Sequence, residues 1–345
     1  MNDNLVHISL IIVVRNAIEV IERSIDSLLN QTYPQDLCEY IFVDGLSFDG
    51  TKEYLENKVL ELQQKGLRAK LLINENKILS SGWNLAIQNS SYDLVCRIDA
   101  HSIIDKDYIK VGVTHLLKTF EEVVAIGGVV IKYFFNNWQG EVVANVYSSG
   151  FSKGWSPFRK KHNKELYNSD TAVFAIYKKS KLIEAGLFDP NLQRVQDIKL
   201  HNILLNKGYK FITCSQMHVF IFVPNSILKA LLIKAFKTGF WIPYAYLGFS
   251  FKVFRFRHWV PFAFSLYILI LPFLVALGMK SVCIPLVLYI ILSLIYGIKD
   301  ADKGFIKILF PIFLFIYHFT YGLGTLLGII SLLYHYRRCN YERSY

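Results

Sequence analysis

The sequence has little charge and few cysteines for its length. Only 19% of its 345 residues are Asp, Glu, Lys or Arg, against about 25% in average soluble domains. Apolar residues make up 53%, which excludes an intrinsically disordered chain because this content can form a large buried core. The five cysteines are scattered, with no close pair typical of a zinc site or a redox motif. We expect reduced thiols in a cytosol-facing protein.

Acidic residues are scarce in the last third of the chain. From Ile227 onward there are 13 Lys and Arg but 3 Asp and Glu, so this part carries +10 of the net charge of +11. The preceding residues are nearly neutral at +1. A basic, aromatic-rich chain can bind nucleic acid, but here the charge lies outside the N-terminal domain, so we expect no nucleic-acid partner. The N-terminus has no basic segment before its short apolar run and is not expected to be a signal peptide.

Charged residues are absent from three runs in this basic third, at 259–278, 281–298 and 308–334. About 20 apolar helical residues cross a hydrocarbon layer of ~30 Å, so the runs predict about three transmembrane helices over residues 259–334. Gly324 and Gly328, four residues apart, predict close helix packing. The positive-inside tendency predicts a multi-pass protein of the cell (inner) membrane with its N-terminal domain in the cytoplasm. Three spans would place the basic tail at 335–345 outside, against the same tendency, so the parity stays open.

Residues 226–258 are predicted to form an amphipathic interfacial helix and a basic linker. Lys229, Lys234 and Lys237 fall on one face of a helix beginning near Ser226, with Leu228 and Leu231 opposite. Such a helix can lie on an anionic membrane with its lysines among the headgroups. The alternative is a solvated face of a helix that packs on the N-terminal domain.

Residues 1–225 alternate short apolar runs with helical patterns. Strands are predicted at 8–14, 40–43, 71–73 and 94–98, with helices following each of the first three. This order predicts an α/β fold with a doubly wound mixed sheet. Ligands bind at the carboxyl ends of the strands in such sheets, which is where the polar clusters at 15–16, 44–49 and 99–101 fall.

Three acidic positions are the main candidates for chemistry. Asp44 follows a strand and could accept a hydrogen bond from a nucleobase or ribose. Asp99 and His101 follow the fourth predicted strand, 94–98, and project the same way. Both could therefore bind one divalent cation, either Mg²⁺ or Mn²⁺. Asp197 begins a helical pattern, where a carboxylate either stabilises the helix N-terminus or acts as a general base. A turn Asp beside an unrelated His is the alternative for the pair Asp99 and His101.

The order of these motifs resembles glycosyltransferase family 2, the inverting enzymes with a GT-A, Rossmann-like fold. The matching segments are residues 9–16, Gln31-Thr32-Tyr33-Pro34, residues 43–51, Arg97-Ile98-Asp99-Ala100-His101, and Gln196-Asp197 with Leu200. The Arg97-Ile98-Asp99-Ala100-His101 form, Asp170-Thr171 before an apolar strand and the membrane-bound tail look most like the succinoglycan-biosynthesis-type branch. That branch builds exopolysaccharide repeat units on a polyprenyl-diphosphate carrier.

The resemblance implies a role for each candidate residue. Asp44 would bind the uracil or ribose of a nucleotide sugar, Asp99 and His101 would hold its diphosphate and the cation, and Asp197 would be the catalytic base. The donor side would also include Arg15, Asn16 and Asn84, and the acceptor side Asp170 and Trp241.

The expected function is transfer of a hexose from a nucleotide sugar, with UDP-sugars favoured, to a polyprenyl-diphosphate-linked oligosaccharide. The partners implied are the donor, the lipid-linked acceptor, membrane lipids and other glycan-assembly enzymes. His101 in place of a second Asp weakens the cation assignment, and the missing Gln-x-x-Arg-Trp motif argues against a processive synthase. Two alternatives remain: a polyprenyl-phosphate glycosyltransferase, or a catalytically inactive scaffold that binds nucleotide sugars.

Overall fold

The computed structural model describes residues 5–153, 164–247, 255–301 and 304–343. The chain divides into two units, one of Met1–Lys132 with Pro157–Phe222 and one of Tyr133–Ser156 with Val223–Tyr345. The boundary predicted at residue 225 lies close to the second junction. The sequence placed residues 133–156 in the first domain, whereas the structure assigns them to the second unit.

The first unit is built from strands and helices in alternation. In chain order it comprises β1 (Ile8–Val14), α1 (Ile18–Leu29), β2 (Cys38–Asp44), α2 (Thr51–Gln64), β3 (Arg68–Ile73), α3 (Leu79–Gln88), β4 (Leu94–Asp99), β5 (Ser102–Ile104), α4 (Tyr108–Leu117), β6 (Val123–Phe134, whose end belongs to the second unit), β7 (Leu166–Ser169), β8 (Ile176–Lys178), α7 (Lys179–Glu184), α8 (Gln196–Asn206) and β9 (Lys210–Phe222). Two short helices, α5 (Trp138–Ser148) and α6 (Gly150–Lys153), intervene in the chain and belong to the second unit.

In the part of the chain that the structure describes, the strands form one mixed sheet of nine strands, in the order β3-β2-β1-β4-β8-β6-β9-β5, with β7 paired to β9. The first four strands are parallel neighbours, and β8 joins β4 in antiparallel orientation. The predicted α/β class and doubly wound mixed sheet are confirmed. Because β1, β2 and β3 run parallel in register, the polar residues that follow them lie at one edge of the sheet.

Both faces of the sheet are covered, which explains why its central strands are continuous apolar runs. All residues of β1 and β2 are buried. On one face Leu10 and Ile12 join a core with α1, α2 and α4, and on the other Ile11 and Val13 join a core with Trp83. Leu200 and Leu204 of α8 pack into the second core, so the helix that carries Asp197 lies on the same face as α3.

Among its described residues, the second unit contains three helices long and apolar enough to cross a membrane, which indicates membrane association. They are Phe256–Ala276, Lys280–Asp300 and Gly304–Tyr334, and only 17%, 11% and 33% of their most apolar stretches are buried. Their regular α-helices are α10 (Val260–Ala276), α11 (Ile284–Asp300) and α12 (Gly304–Arg343), preceded by α9 (Ala235–Tyr246). The predicted tail at 335–345 continues α12 as far as Arg343.

Glycines allow α9 and α12 to pack backbone against backbone. A Cβ atom on Gly324 would collide with the carbonyl oxygen of Phe236, and one on Gly328 with that of Phe240. Gly239 faces Tyr321 of α12 in the same way. The predicted role of Gly324 and Gly328 in close helix packing is therefore confirmed.

The predicted interfacial helix has an irregular first turn. Leu228–Lys234 has π-helical hydrogen bonding before α9 begins, and the linker residues 248–254 lie outside the described part of the chain. Leu228 and Ile233 are 57% and 46% exposed, while Ala230 and Leu231 are buried. The prediction that Leu228 lies on the face opposite the lysines is therefore only partly met, because the exposed side of this segment carries apolar and basic side chains together.

Candidate active site

The loop that follows β2 is held against the loop that follows β1. Asn16, with a positive φ of 52°, donates its backbone N–H to Ser47 Oγ at 2.9 Å, and its Oδ1 accepts the N–H of Phe48 at 3.0 Å. Asp49 accepts hydrogen bonds from the backbone of Ile18 and from the Thr51 hydroxyl at 3.2 and 2.6 Å. The side chains of Asn16 and Asp49 therefore shape the loop.

Asp44 closes β2 and is completely buried. Its Oδ2 accepts the backbone N–H of Ser47 at 3.0 Å, but its Oδ1 has no hydrogen-bond partner among the described residues. An unmatched buried carboxylate oxygen is costly unless a donor reaches it. Arg15, at the end of the neighbouring strand β1, is exposed. A Cβ atom added to Gly45 would lie 3.3 Å from the Cβ of Arg15, so a larger residue at position 45 would crowd Arg15.

Asp99 and Arg97 project from the same face of β4. Arg97 Nη2 lies 3.6 Å from Asp99 Oδ1, and the two side chains are 15% and 25% exposed. The turn after Asp99 is fixed by the Ser102 hydroxyl, which donates to the Asp99 carbonyl at 2.6 Å. His101 is half-buried, and its carbonyl accepts the N–H of Phe222 at 2.8 Å.

Asp197 lies in the first turn of α8, after Val195 with a positive φ of 55°. Its side chain is half-buried, and Oδ1 accepts the N–H of Ile198 at 2.9 Å. Its charge reaches Arg97: burial lowers the pKa of that guanidinium, but the carboxylates of Asp99 and Asp197 raise it, and the net shift is upward. Asp99 thus contacts the Arg97 guanidinium, and Asp197, far from it in sequence, acts on the same group through its charge.

A buried hydrogen-bond network holds α8 one turn after Asp197. His201 is fully buried, with Nδ1 2.7 Å from the Thr171 hydroxyl and Nε2 2.9 Å from the Tyr177 hydroxyl. The Tyr177 hydroxyl also donates to the Ala172 carbonyl at 3.2 Å. Which ring nitrogen of His201 donates to its neighbour depends on the tautomer.

The remaining predicted site residues have other surroundings. Asn84 bonds the backbone of Phe188 twice, donating from Nδ2 at 2.7 Å and accepting at Oδ1 at 2.9 Å, which is a structural use of its amide. Asp170 follows β7 in the first unit, immediately before Thr171. Trp241 lies on α9 in the second unit, with its ring 5.1 Å from that of Tyr244. Their assignments to donor and acceptor remain predictions.

Sequence reasoning used Arg97 only as part of a motif and missed its position in the site. A signal was present, because Val95, Arg97 and Asp99 alternate along one strand and therefore share a face. Two aromatic rings contact the Arg97 guanidinium: the ring centroids of Trp83 and Phe188 lie 4.9 and 5.6 Å from its central carbon. Neither ring is a neighbour of Arg97 in the sequence. No pattern in the chain links them.

The sequence matches the family model "Glycosyl transferase family 2" over residues 9–186, just over half of the 345 residues. The chain belongs to glycosyltransferase family 2. The matched segment contains Asp44, Asp99 and His101, whereas Asp197 lies just beyond it.

Relatives of this glycosyltransferase include a glucuronosyltransferase and a poly-N-acetyl-D-glucosamine synthase. One relative, from Methanococcus voltae, is 24% identical in an alignment that covers 94% of this chain and 97% of the relative. Its name is dolichyl N-acetyl-alpha-D-glucosaminyl phosphate 3-beta-D-2,3-diacetamido-2,3-dideoxy-beta-D-glucuronosyltransferase. This chain is 22% identical over 60% of its length to a Staphylococcus aureus (strain COL) poly-beta-1,6-N-acetyl-D-glucosamine synthase, of which it spans 48%. The mannosyltransferase PcManGT from Pyrobaculum calidifontis, solved with GDP-Man and Mn²⁺, superposes with a TM-score of 0.65 at 16% identity, over 94% of this chain and 88% of that one. This likeness establishes the GT-A fold.

A divalent cation fits the residues of the glycosyltransferase only in part. No group of three or more His, Cys, Asp and Glu side chains is arranged to hold a metal within the described residues. Asp99 offers a partly exposed carboxylate and His101 an imidazole, a donor pair that Mn²⁺ accepts and that suits Mg²⁺ less. A cation held there would need further oxygen ligands, which the diphosphate of a donor carries.

Proposed function

We propose that this glycosyltransferase is inverting and metal-dependent, and that it transfers a hexose from a nucleotide sugar to a lipid-linked saccharide at the cytoplasmic face of the cell membrane. The expected donor is a UDP-sugar, and the expected acceptor a polyprenyl-diphosphate-linked oligosaccharide of exopolysaccharide or cell-surface glycan biosynthesis. The observation that carries the proposal is Asp99 at the carboxyl end of β4, 3.6 Å from Arg97, together with Asp197 in the first turn of α8, whose charge acts on the same guanidinium. A diphosphate-binding carboxylate and a general base are the two groups that a single displacement requires.

The donor would enter at the ends of β1, β2 and β4. The unpartnered Oδ1 of Asp44 supports a nucleoside in this position, because a ribose hydroxyl or a base N–H would supply the missing donor. Arg15 is exposed and would bind phosphate oxygens of the donor. A bound cation would supply charge neutralisation to the leaving diphosphate, with Asp99 and His101 as its protein ligands.

The displacement needs one base. Asp197 would take the proton of the acceptor hydroxyl as that oxygen bonds to the anomeric carbon, and the bond from this carbon to the diphosphate oxygen breaks. The electron pair of that bond leaves with the nucleoside diphosphate. Because no protein nucleophile intervenes, the anomeric configuration inverts.

The acceptor is proposed from the membrane-associated helices and from a relative. The name of the Methanococcus voltae protein specifies a dolichyl-phosphate-linked sugar, and an anchored enzyme meets such a lipid on a shared surface, which raises the effective concentration. The exposed mixture of Lys229, Leu228 and Ile233 before α9 suits contact with anionic headgroups and the acyl boundary. Other glycan-assembly enzymes would supply the lipid-linked acceptor and consume the product.

Transfer of radiolabelled sugars to extracted carrier lipids, with purified protein in mixed micelles, tests the proposal. Asp197→Asn should lower kcat about 1,000-fold or more while nucleotide binding stays near the wild-type value. Asp93→Asn, an exposed carboxylate before β4, is the matched control and should transfer at the wild-type rate. Equal rates for the wild type and Asp197→Asn would exclude Asp197 as the base.

The metal site has its own test. Replacing Asp99 and His101 together with Ala should weaken Mn²⁺-dependent binding of a nucleoside diphosphate, measured by calorimetry. Unchanged binding would refute the site. An acid-labile product in which the sugar is bonded directly to the carrier phosphate would instead identify a polyprenyl-phosphate glycosyltransferase, and absence of transfer from every donor would favour an inactive scaffold.

A further inference from the structure

Arg97 is a largely buried charged side chain at the end of an apolar strand. It belongs to β4, whose preceding residues Leu94, Val95 and Cys96 are all buried, and its own side chain is 15% exposed. Its Nε has no hydrogen-bond partner among the described residues. Burying a guanidinium with so few hydrogen bonds is unfavourable for stability alone, and an apolar side chain of similar size would often fold as well or better.

Aromatic rings rather than hydrogen bonds fix the guanidinium. The guanidinium carbon of Arg97 lies 4.9 Å from the ring centroid of Trp83 and 5.6 Å from that of Phe188. Trp83 is fully buried and Phe188 is 1% exposed. Cation–π contacts with such rings hold a planar cation in a defined place while leaving its N–H groups available.

Two further contacts hold these rings in place. The amide of Asn84, on α3, clamps the backbone of Phe188 with two hydrogen bonds of 2.7 and 2.9 Å. The next residue, Asp189, forms an ion pair with Lys199 of α8, with 2.5 Å between Asp189 Oδ2 and Lys199 Nζ. Helix α3, the segment around Phe188 and the helix of the proposed base are thereby joined around one guanidinium.

The guanidinium contacts one proposed site carboxylate directly and is tied to the helix of the other. Arg97 Nη2 lies 3.6 Å from Asp99 Oδ1, and Asp197 lies on α8, whose Lys199 holds Asp189 next to Phe188 of the cradle. Two carboxylates brought to one site repel each other unless a positive charge lies near them. The aromatic cradle thus places a permanent positive charge beside the proposed cation ligand, against the segment that holds the helix of the proposed base.

We propose that Arg97 is a positioning residue for sugar transfer, which fixes Asp197 relative to Asp99 and so aligns the base with the donor. This inference rests on the proposed function, because it assigns a task to Arg97 within that reaction. Asn84, Trp83 and Phe188 then serve the reaction indirectly, by holding the guanidinium rather than by touching the donor.

Three variants of the full-length protein test this role in mixed micelles. Arg97→Met removes the charge but keeps an unbranched side chain, and it should lower kcat about 100-fold with the thermal midpoint and the donor KM near wild-type values. Arg97→Lys keeps the charge but loses the planar group that stacks on the rings, and its kcat should be about tenfold higher than that of Arg97→Met. Arg68→Met is the matched control, because Arg68 also lies over an aromatic ring, Tyr92 at 5.6 Å, but is exposed at the start of β3; its kcat should not change.

A double-mutant cycle with Asp197→Asn separates positioning from general loss of structure. If Arg97 acts through the base, Arg97→Met lowers kcat far less in the Asp197→Asn background than in the wild type. Additive losses would overturn the inference, as would a wild-type kcat in Arg97→Met or an effect confined to donor KM. Should Arg97→Met fail to fold, Arg97→Lys decides: a lowered kcat at unchanged KM supports positioning, and an unchanged kcat overturns it. A wild-type protein that transfers no sugar would refute the proposed function instead.

Discussion

Tyr177→Phe should loosen the helix that carries Asp197 without touching the candidate site itself. The substitution removes one hydroxyl that makes two buried hydrogen bonds, 2.9 Å to His201 Nε2 and 3.2 Å to the Ala172 carbonyl. Burial raises the pKa of Tyr177, so the hydroxyl stays protonated and keeps donating at physiological pH. His201 is 0% and Ala172 3% exposed, so water cannot readily replace the lost partner.

The expected cost follows from these two contacts. Each buried group that loses its partner costs about 1–3 kcal/mol, which gives a destabilisation of about 3 kcal/mol. For a unit of this size that lowers the thermal midpoint by roughly 6–12 °C. Tyr209→Phe is the matched control, because the Tyr209 hydroxyl bonds exposed Glu184 at 2.8 Å and its loss should cost under about 1 kcal/mol.

Fluorescence-detected melting and hydrogen exchange, both in detergent, measure these effects. Amide protection should fall in α8 of Tyr177→Phe, and kcat should decrease because Asp197 lies one turn before His201. A midpoint and α8 protection equal to those of Tyr209→Phe would refute a supporting role for the network.

Three other perturbations have definite expected outcomes. Asp44→Asn should weaken binding of nucleoside diphosphates about tenfold in calorimetry, since it removes a buried acceptor oxygen; equal affinity would contradict a nucleoside site. Gly324→Leu should destabilise the helical unit, seen as a lower melting temperature and protein yield, whereas Gly304→Ala, with no atom within 4 Å, should not. Burial raises the pKa of Glu39, but hydrogen bonds from Lys70 and two serines lower it by more, so the net shift of the pKa is downward. Its stabilisation is therefore present above the unfolded-state pKa and lost as pH falls through the folded-state value, so Glu39→Gln should cost about 2 kcal/mol at pH 7 and flatten the acid limb of a stability profile.

The central sheet could be predicted because its signals are local. The apolar run 8–14 coincides with β1, and the predicted strands at 40–43 and 94–98 differ from β2 and β4 by at most two residues at either end. Buried parallel strands are uninterrupted apolar runs, and polar residues must follow where each strand leaves the sheet. The positions of Asp44 and Asp99 at the strand ends follow from the same pattern.

Features that depend on distant partners could not be read from the sequence. The apolar strand expected directly after Asp170-Thr171 begins only at Ile176, as β8, and Thr171 and Ala172 bond the side chains of His201 and Tyr177 instead. Asn84 looked like a donor ligand, yet its amide holds Phe188, over 100 residues later in the chain. The contacts of Arg97 with the rings of Trp83 and Phe188 likewise depend on tertiary packing, which no short motif encodes.

The segment containing α5 limits where the chain can be truncated to give a soluble fragment. Val142, Val143 and Val146 of α5 are buried in a core formed with Leu231, Phe310 and other residues of the second unit. A protein truncated after residue 225 would keep these valines but lose their partners, leaving an apolar helix face in water. Such a fragment should aggregate even though its sheet is complete. A soluble catalytic fragment would require residues 133–156 to be shortened or made polar as well.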